Sequence, residues 1–145
     1  MGTPFEKVID MALLVIQDFR LDNLYNVNKA TFDLLFEGWL RKAKPKFVGC
    51  LQSLDIDLET KSFISILSDK EIDILADGIV IVWFTNKVQD VSEFGGHMSD
   101  SEFKKHSEAN NLAKKKEYLD GLQEKMRQDI TDYHIQNLDK LVGFI

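Results

Sequence analysis

The chain has 145 residues, with 24 acidic and 18 basic side chains and a formal net charge of −6. Its length suits one domain, and 44% hydrophobic with 29% charged residues excludes whole-chain disorder. A single cysteine, Cys50, excludes an internal disulfide framework and a cysteine zinc cluster, and the acidic balance argues against a general nucleic-acid binder, whose phosphate contacts need clustered Lys and Arg.

The opening Met1-Gly2-Thr3-Pro4-Phe5-Glu6 lacks the basic start of a signal peptide, and Asp10 interrupts the apolar run that follows. No membrane segment is predicted, because the longest apolar stretch, Gly78 to Phe84, is far short of the roughly 20 residues needed to span a bilayer. Composition thus predicts a soluble, intracellular single domain spanning 1–145.

Thr3-Pro4-Phe5-Glu6 fits a capping box, in which a hydroxyl and a Glu three residues on satisfy the first free amides of a helix. Proline at the first helical position adds to it. Phe5, Val8, Ala12, Ile16 and Phe19 then keep helical spacing, so the first helix is predicted to end near Phe19 or Arg20. Asn28 is a good cap for a second helix carrying Phe32, Leu35, Phe36, Trp39, Leu40 and Ala43. Pro45 disfavours helix at Lys44 and breaks it there. Leu54, Ile56 and Leu58 alternate with polar residues, and Phe63-Ile64-Ser65-Ile66-Leu67 is rich in strand formers, so a β-hairpin is predicted over about 51–67.

Ser68-Asp69-Lys70-Glu71 is a second capping box. Gly78 to Phe84 taken alone reads as a buried strand. From that cap, however, Ile72, Leu75, Ala76, Ile79, Val82 and Trp83 keep helical spacing, and helix is preferred, apolar nearly all round and central in the core. Val91 to Met98, with Gly95-Gly96, reads as a loop. A third box, Ser99-Asp100-Ser101-Glu102, opens a final helix over about 100–140. At about 40 residues it would run roughly 60 Å, beyond the width of a domain of this size, so it either breaks near Gly121 or projects. Its stripe of Leu112, Leu119, Leu122, Met126, Ile130, Tyr133, Asn137 and Leu141 is narrow, as suits one neighbour or a coiled-coil-like contact between subunits. The apolar tail 142–145, Val142-Gly143-Phe144-Ile145, is expected to dock. The predicted fold is mainly α: a bundle of about four helices with one β-hairpin and a long C-terminal helix.

Chemistry is sparse. His97, His106 and His134 form no i, i+4 pair of the kind that holds zinc on a helix. Cys50 reads as a small buried thiol. Asp55, Asp57, Glu59, Asp69, Glu71, Asp73 and Asp77 form an acidic stretch without the glycine and twelfth-position Glu of a calcium loop, and read as a solvated face able to meet a basic partner. Gly95-Gly96 lacks the flanking residues of a phosphate loop. The one basic run is Arg41, Lys42, Lys44 and Lys46, read as a solvated helix end or as a match for another subunit's acidic stretch. Residues 1–101 hold 10 basic and 16 acidic groups and 102–145 hold 8 of each, so the whole net charge lies in the first part. No catalytic residue, metal site or cofactor is predicted.

The order of these features resembles a group of small proteins encoded in tailed phages and prophages of Gram-positive bacteria, near the portal and major capsid genes. The likeness spans roughly residues 1 to 135. It is carried by the Thr-Pro-Phe-Glu-Lys start, the aromatic-rich helix Phe32 to Leu40, the Cys50-x-x-x-Leu54 stretch, the apolar helix "EIDILADGIVIVWFTNKVQDV" and, above all, "SDSEFKKHSEANNLAKKKEYLDGL". The resemblance implies a mainly helical head–tail connector, an adaptor in the virion neck that assembles as a homo-oligomer, usually a ring of twelve, beneath the portal protein. Such a ring would contact the next neck or tail-completion protein and let double-stranded DNA pass without sequence-specific binding. It would sit at the head–tail junction of the virion, after assembly in the host cytoplasm. The predicted contact residues are Leu119, Leu122, Met126, Ile130, Tyr133, Phe144, Ile145, Arg41 and Lys42. A small helical interaction module, dimerising through the long C-terminal helix, is the alternative.

Overall fold

The computed structural model describes residues 2–95 and 102–138, with side chains over 2–89 and 111–138. The chain is mainly helical, with five α-helices, a small antiparallel pair of strands and a long final helix. The helices are α1 (Phe5–Leu13), α2 (Phe19–Val27), α3 (Lys29–Ala43), α4 (Asp69–Gly95) and α5 (Glu102–Gln136). Strands β1 (Ile56–Asp57) and β2 (Ser62–Phe63) lie between α3 and α4, and a 3-10 turn, Lys44–Lys46, ends α3.

Helix α4 is the centre. Ile72, Ile74, Leu75, Ala76, Ile79, Val80, Ile81 and Val82 are all buried, and they point in every direction around the helix axis. Such a helix must be covered on all sides, and α1, α3 and α5 each pack against it. The strand reading of Gly78 to Phe84 is thereby excluded: this segment is helix. Its cap is the predicted one, because the Ser68 Oγ accepts from Glu71 N at 3.2 Å while Glu71 Oε1 accepts from Ser68 N at 2.8 Å. Asn28 likewise caps α3, its Oδ1 accepting from Thr31 N at 3.2 Å, and α3 stops at Ala43 before Pro45.

Four expectations change. Helix α1 stops at Leu13, and the stretch that was to complete it bends and restarts as α2, capped by Asp18, whose Oδ1 accepts from Arg20 N at 3.0 Å. Only Leu21 of α2 is buried, so its helical stripe was too thin to separate it from its neighbours. Thr3 forms no capping box. Pro4 is the N-cap in extended conformation, and the Thr3 hydroxyl accepts from Leu67 N at 2.8 Å. Thr3 also pairs through its backbone, accepting from Phe63 N at 2.7 Å and donating to Ser65 O at 3.1 Å, so the start of the chain adds to the hairpin as a third strand-like segment. The predicted hairpin is present but shorter than expected: each β-strand has only two residues, with Ile56 opposite Phe63, so most of 51–67 is turn and coil. Finally, Val91 to Gly95 is helical, a continuation of α4. The third capping box, and residues 96–98 of the predicted loop, lie outside the described residues.

Helix α5 runs unbroken through Gly121, so the final helix does not break there; its 35 residues give roughly 52 Å. It is antiparallel to α4, as three contacts show: Tyr133 meets Glu71 at 2.6 Å, Lys125 meets Asp77 at 3.1 Å, and the Tyr118 and Phe84 rings lie 4.9 Å apart. Among the described residues, no helix is long and apolar enough to cross a membrane.

The two long helices and α3 approach closely at Gly78. A Cβ there would lie 2.8 Å from the Ala43 Cβ and 3.3 Å from the Met126 Cε, whereas at Gly121 nothing lies within 4 Å. Gly78→Leu is therefore expected to destabilise the chain by about 1–3 kcal/mol through overpacking. Gly121→Ala should instead stabilise it by about 0.5–1 kcal/mol through helix propensity. Urea denaturation of the two variants checks both signs, and a stable Gly78→Leu protein would refute the close approach.

Candidate interaction surface

The predicted contact residues divide into three groups. Met126 and Tyr133 lie in the subunit's own core, and Leu119, Leu122 and Ile130 pack half-buried against it. Within one chain the α5 stripe packs on α4, which buries Met126 and Tyr133 and leaves Leu119, Leu122 and Ile130 partly exposed. Arg41 and Lys42 are exposed at the end of α3. Phe144 and Ile145 lie outside the described residues.

The acidic stretch is also divided. Asp55, Asp57, Glu59 and Asp69 are exposed, but Glu71 is 3% exposed and organises a hydrogen-bonded centre not foreseen from sequence. Its Oε2 accepts from the Tyr133 hydroxyl at 2.6 Å and from Cys50 Sγ at 3.5 Å. The same Tyr133 oxygen accepts from Leu51 N at 3.0 Å. Burial, with the Glu71 carboxylate close by, pushes the Cys50 thiol up to about 11, and burial with the bond to Glu71 raises Tyr133. The thiol is thus held protonated near neutral pH, the reverse of an activated nucleophile. The group joins α4, α5 and the 47–51 loop. Next to it, His134 Nε2 lies 3.1 Å from Val48 O; a carbonyl only accepts, so Nε2 carries the proton. Gly49, at φ 75°, sits where a side chain would strike the His134 ring at 2.7 Å.

Two further ionic clusters fasten the bundle. Asp18 accepts from Trp83 Nε1 at 3.1 Å and pairs with Lys87 at 3.0 Å, tying the start of α2 to α4. Burial alone would raise its pKa, but Trp83, Lys87 and the Arg20 amide outweigh that and hold it below the usual value. Between α4 and α5, Lys125 bridges Asp77 at 3.1 Å and Asp129 at 2.9 Å, with Lys70 3.7 Å from Asp129. Burial and the adjacent Asp129 carboxylate push Asp77 up to about 6 against the pull of Lys125. Among the described residues, no three His, Cys, Asp or Glu side chains are placed to hold a metal ion.

Besides these exposed charges, several large apolar residues face outward. Leu14, Phe19, Val27, Leu34, Val48, Ile64, Ile66 and Ile135 are each more than 60% exposed. Single exposed apolar residues are ordinary, but here Val48 lies beside the end of α5 that carries Ile135, and Ile64 and Ile66 alternate along one segment. The motif signal for these was weak, because a strand-like or helical pattern says which residues share a face and not which face is left uncovered. Comparison with family models, with curated proteins and with solved structures finds no match to this chain.

Tyr133→Phe should cost about 1–3 kcal/mol of stability, because it leaves the buried Glu71 carboxylate and the Leu51 amide short of a partner. A loss below about 0.5 kcal/mol in chemical denaturation would contradict the role given to this hydroxyl. The raised Asp77 makes a pH prediction. A carboxyl whose pKa rises on folding contributes stability fully present below its unfolded value, near 3.8, and lost as pH rises through about 6. Wild-type Tm should therefore gain on going from pH 7.5 to 5.5 relative to Asp77→Asn, which keeps a neutral side chain there. Parallel Tm profiles for the two proteins would refute it.

Proposed function

We propose that the chain is a structural subunit of a tailed-phage virion, a head–tail connector that assembles as a ring beneath the portal and joins the head to the neck and tail. What carries this reading is the resemblance of segments from Thr3 to Leu122, ending in "SDSEFKKHSEANNLAKKKEYLDGL", to those small phage proteins. The architecture agrees with it: a mainly helical subunit whose longest helix, α5, packs along its own core. The exposed apolar residues on the 47–51 loop, on the end of α5 and on 64–66 supply surface for neighbours.

The role is mechanical. A subunit in a neck needs a core that does not rearrange under load and surfaces that meet several partners. Glu71, Asp18 and the Lys125 cluster provide the first by tying α5, the start of α2 and the 47–51 loop to α4. The surplus of acidic groups, located before residue 102, suits a wall along which DNA slides without being gripped.

Light-scattering mass measurement of the chain, alone and after mixing with portal rings of the same phage, tests the proposal. Several copies joining each portal ring is the expected result. A stable dimer indifferent to portal would overturn it in favour of the dimerising module, which would need a face other than the Met126 and Tyr133 stripe already buried in the subunit.

A further inference from the structure

A groove of about 600 Å³ lies between α1, the first half of α3 and the hairpin turn. Buried Phe5 and Phe32 and half-buried Ile9 and Leu13 supply its apolar lining, and Leu34, 65% exposed, also lines it. Its charges divide unequally. Lys61 is held by Glu37 at 2.8 Å, and Lys29 Nζ lies 5.8 Å from the centre of the Tyr25 ring. Glu6 and Asp10 of α1 and Asp33 of α3 are all exposed and all line the groove, and none has a cation within ion-pair distance among the described residues. Glu6 and Asp10 stand one helical turn apart, where like charges repel unless a cation lies near both. The groove is therefore apolar within and anionic on both of its helical walls.

Such a groove suits a cationic segment with an apolar residue beside it, and the chain carries one. Among the described residues, most other cations are engaged: Arg20 and Lys87 with Asp18, Lys70 and Lys125 with Asp129, and Arg127 with Glu124. Lys7 stands singly on α1, and Lys114, Lys115 and Lys116 are consecutive on α5, so they point three ways around that helix and cannot share one groove. Arg41, Lys42, Lys44 and Lys46 are different. They place four cations within six residues at the tip where α3 passes into the Lys44–Lys46 turn, and none has an ion-pair partner among the described residues. Val48, two residues on, is 70% exposed. No residue of 41–48 lines the groove, and α3, with the groove along its first half and the basic tip at its end, holds the two apart within one chain.

We infer that the groove between α1 and α3 receives the basic α3 tip of a second copy of this chain, with Val48 against the apolar lining and Arg41, Lys42, Lys44 and Lys46 facing Glu6, Asp10 and Asp33. Each side supplies what the other lacks: three carboxylates without cations meet four cations without carboxylates. The lysine stems add apolar surface to Val48, since such side chains lay their methylenes on apolar ground while the ammonium stays at the rim. The contact also sets the C-terminal end of one α3 toward the N-terminal half of the next, which opposes unlike ends of the helix dipoles. Because groove and tip are different parts of one subunit, the contact is heterologous: it propagates from copy to copy and closes into a ring or continues as a filament. As the subunit contact of the proposed connector, the inference rests on that reading, but it is measured without any portal.

The test uses full-length chain in sedimentation velocity at low and high salt. Wild-type mass should rise with concentration, and the association should weaken with salt. Asp10→Lys/Asp33→Lys in the groove and Lys42→Glu/Lys46→Glu on the tip should each weaken it on the order of tenfold or more. All four positions are exposed, and circular dichroism verifies folding of the variants. Mixing the two reversed proteins should restore association, since each then offers the other a matching surface. Asp55→Lys/Glu59→Lys, which reverses exposed carboxylates outside the groove, should associate like wild type. A wild-type chain that stays monomeric, groove or tip variants that associate like wild type, or a mixture that fails to recover would each overturn the inference. So would loss of association in the Asp55/Glu59 variant alone, which would make the hairpin turn the partner of the basic tip. Association that follows these rules in a chain that ignores portal rings would leave the contact standing and sink the virion reading; the opposite pair of results would do the reverse.

Discussion

Helix α4 carries apolar side chains around its whole circumference, and the rest of the molecule is arranged by the need to keep water from it. Fully burying one Ile, Leu or Val side chain is worth roughly 1.5–3 kcal/mol, and α4 buries a continuous series of them from Ile72 to Val82. No single partner helix covers such a surface. Helices α1 and α3 take one part of it, and α5 takes the other with Leu119, Leu122, Met126 and Ile130. The narrow stripe of α5 is thereby explained: it is as wide as the part of α4 that α1 and α3 leave open.

Polar groups at the ends of this core set the register. Glu71 begins as half of a capping box at the start of α4 and ends as the acceptor for Tyr133 on α5, so one carboxylate orients a helix terminus and a helix pair. Asp18 does the same work for α2 through the Trp83 indole and Lys87. Glu71 is buried, Asp18 is partly so, and both are partnered; a buried carboxylate short of its partners would cost more than any one of these contacts contributes. The same logic separates structure from surface in the acidic stretch. Glu71 and Asp77 are absorbed into the bundle, whereas Asp55, Asp57, Glu59 and Asp69 stay exposed.

Strong local patterns were legible in the sequence. The caps at Asn28 and Ser68 formed as their chemistry requires, Pro45 ended α3, and the helical spacing from Ile72 to Trp83 outweighed the strand-like composition of Gly78 to Phe84. The failures were places where a distant partner competed with a local one. Thr3 carries the hydroxyl of a capping box, yet the Leu67 amide and the Phe63 and Ser65 backbone take it into a strand-like segment instead. At 91–95 the twin glycines suggested a loop, but the backbone continues as helix to Gly95. Of the predicted contact residues, Arg41 and Lys42 stayed on the surface, while Met126 and Tyr133 went inside, because an apolar stripe does not state whose apolar surface it meets.

The sequence by itself determined the helical class, the central position of α4, the caps of α3 and α4, and an acidic segment that follows a basic one along the chain. Those properties follow from periodicity and from groups a few residues apart, where covalent connection alone brings partners together. Only the tertiary structure decided that α5 covers its own subunit and that Glu71, Tyr133 and Cys50 meet across separations of up to 83 residues. These depend on how the two long helices lie against each other, and that is set by filling the space around α4, a condition that no local stretch of sequence can express.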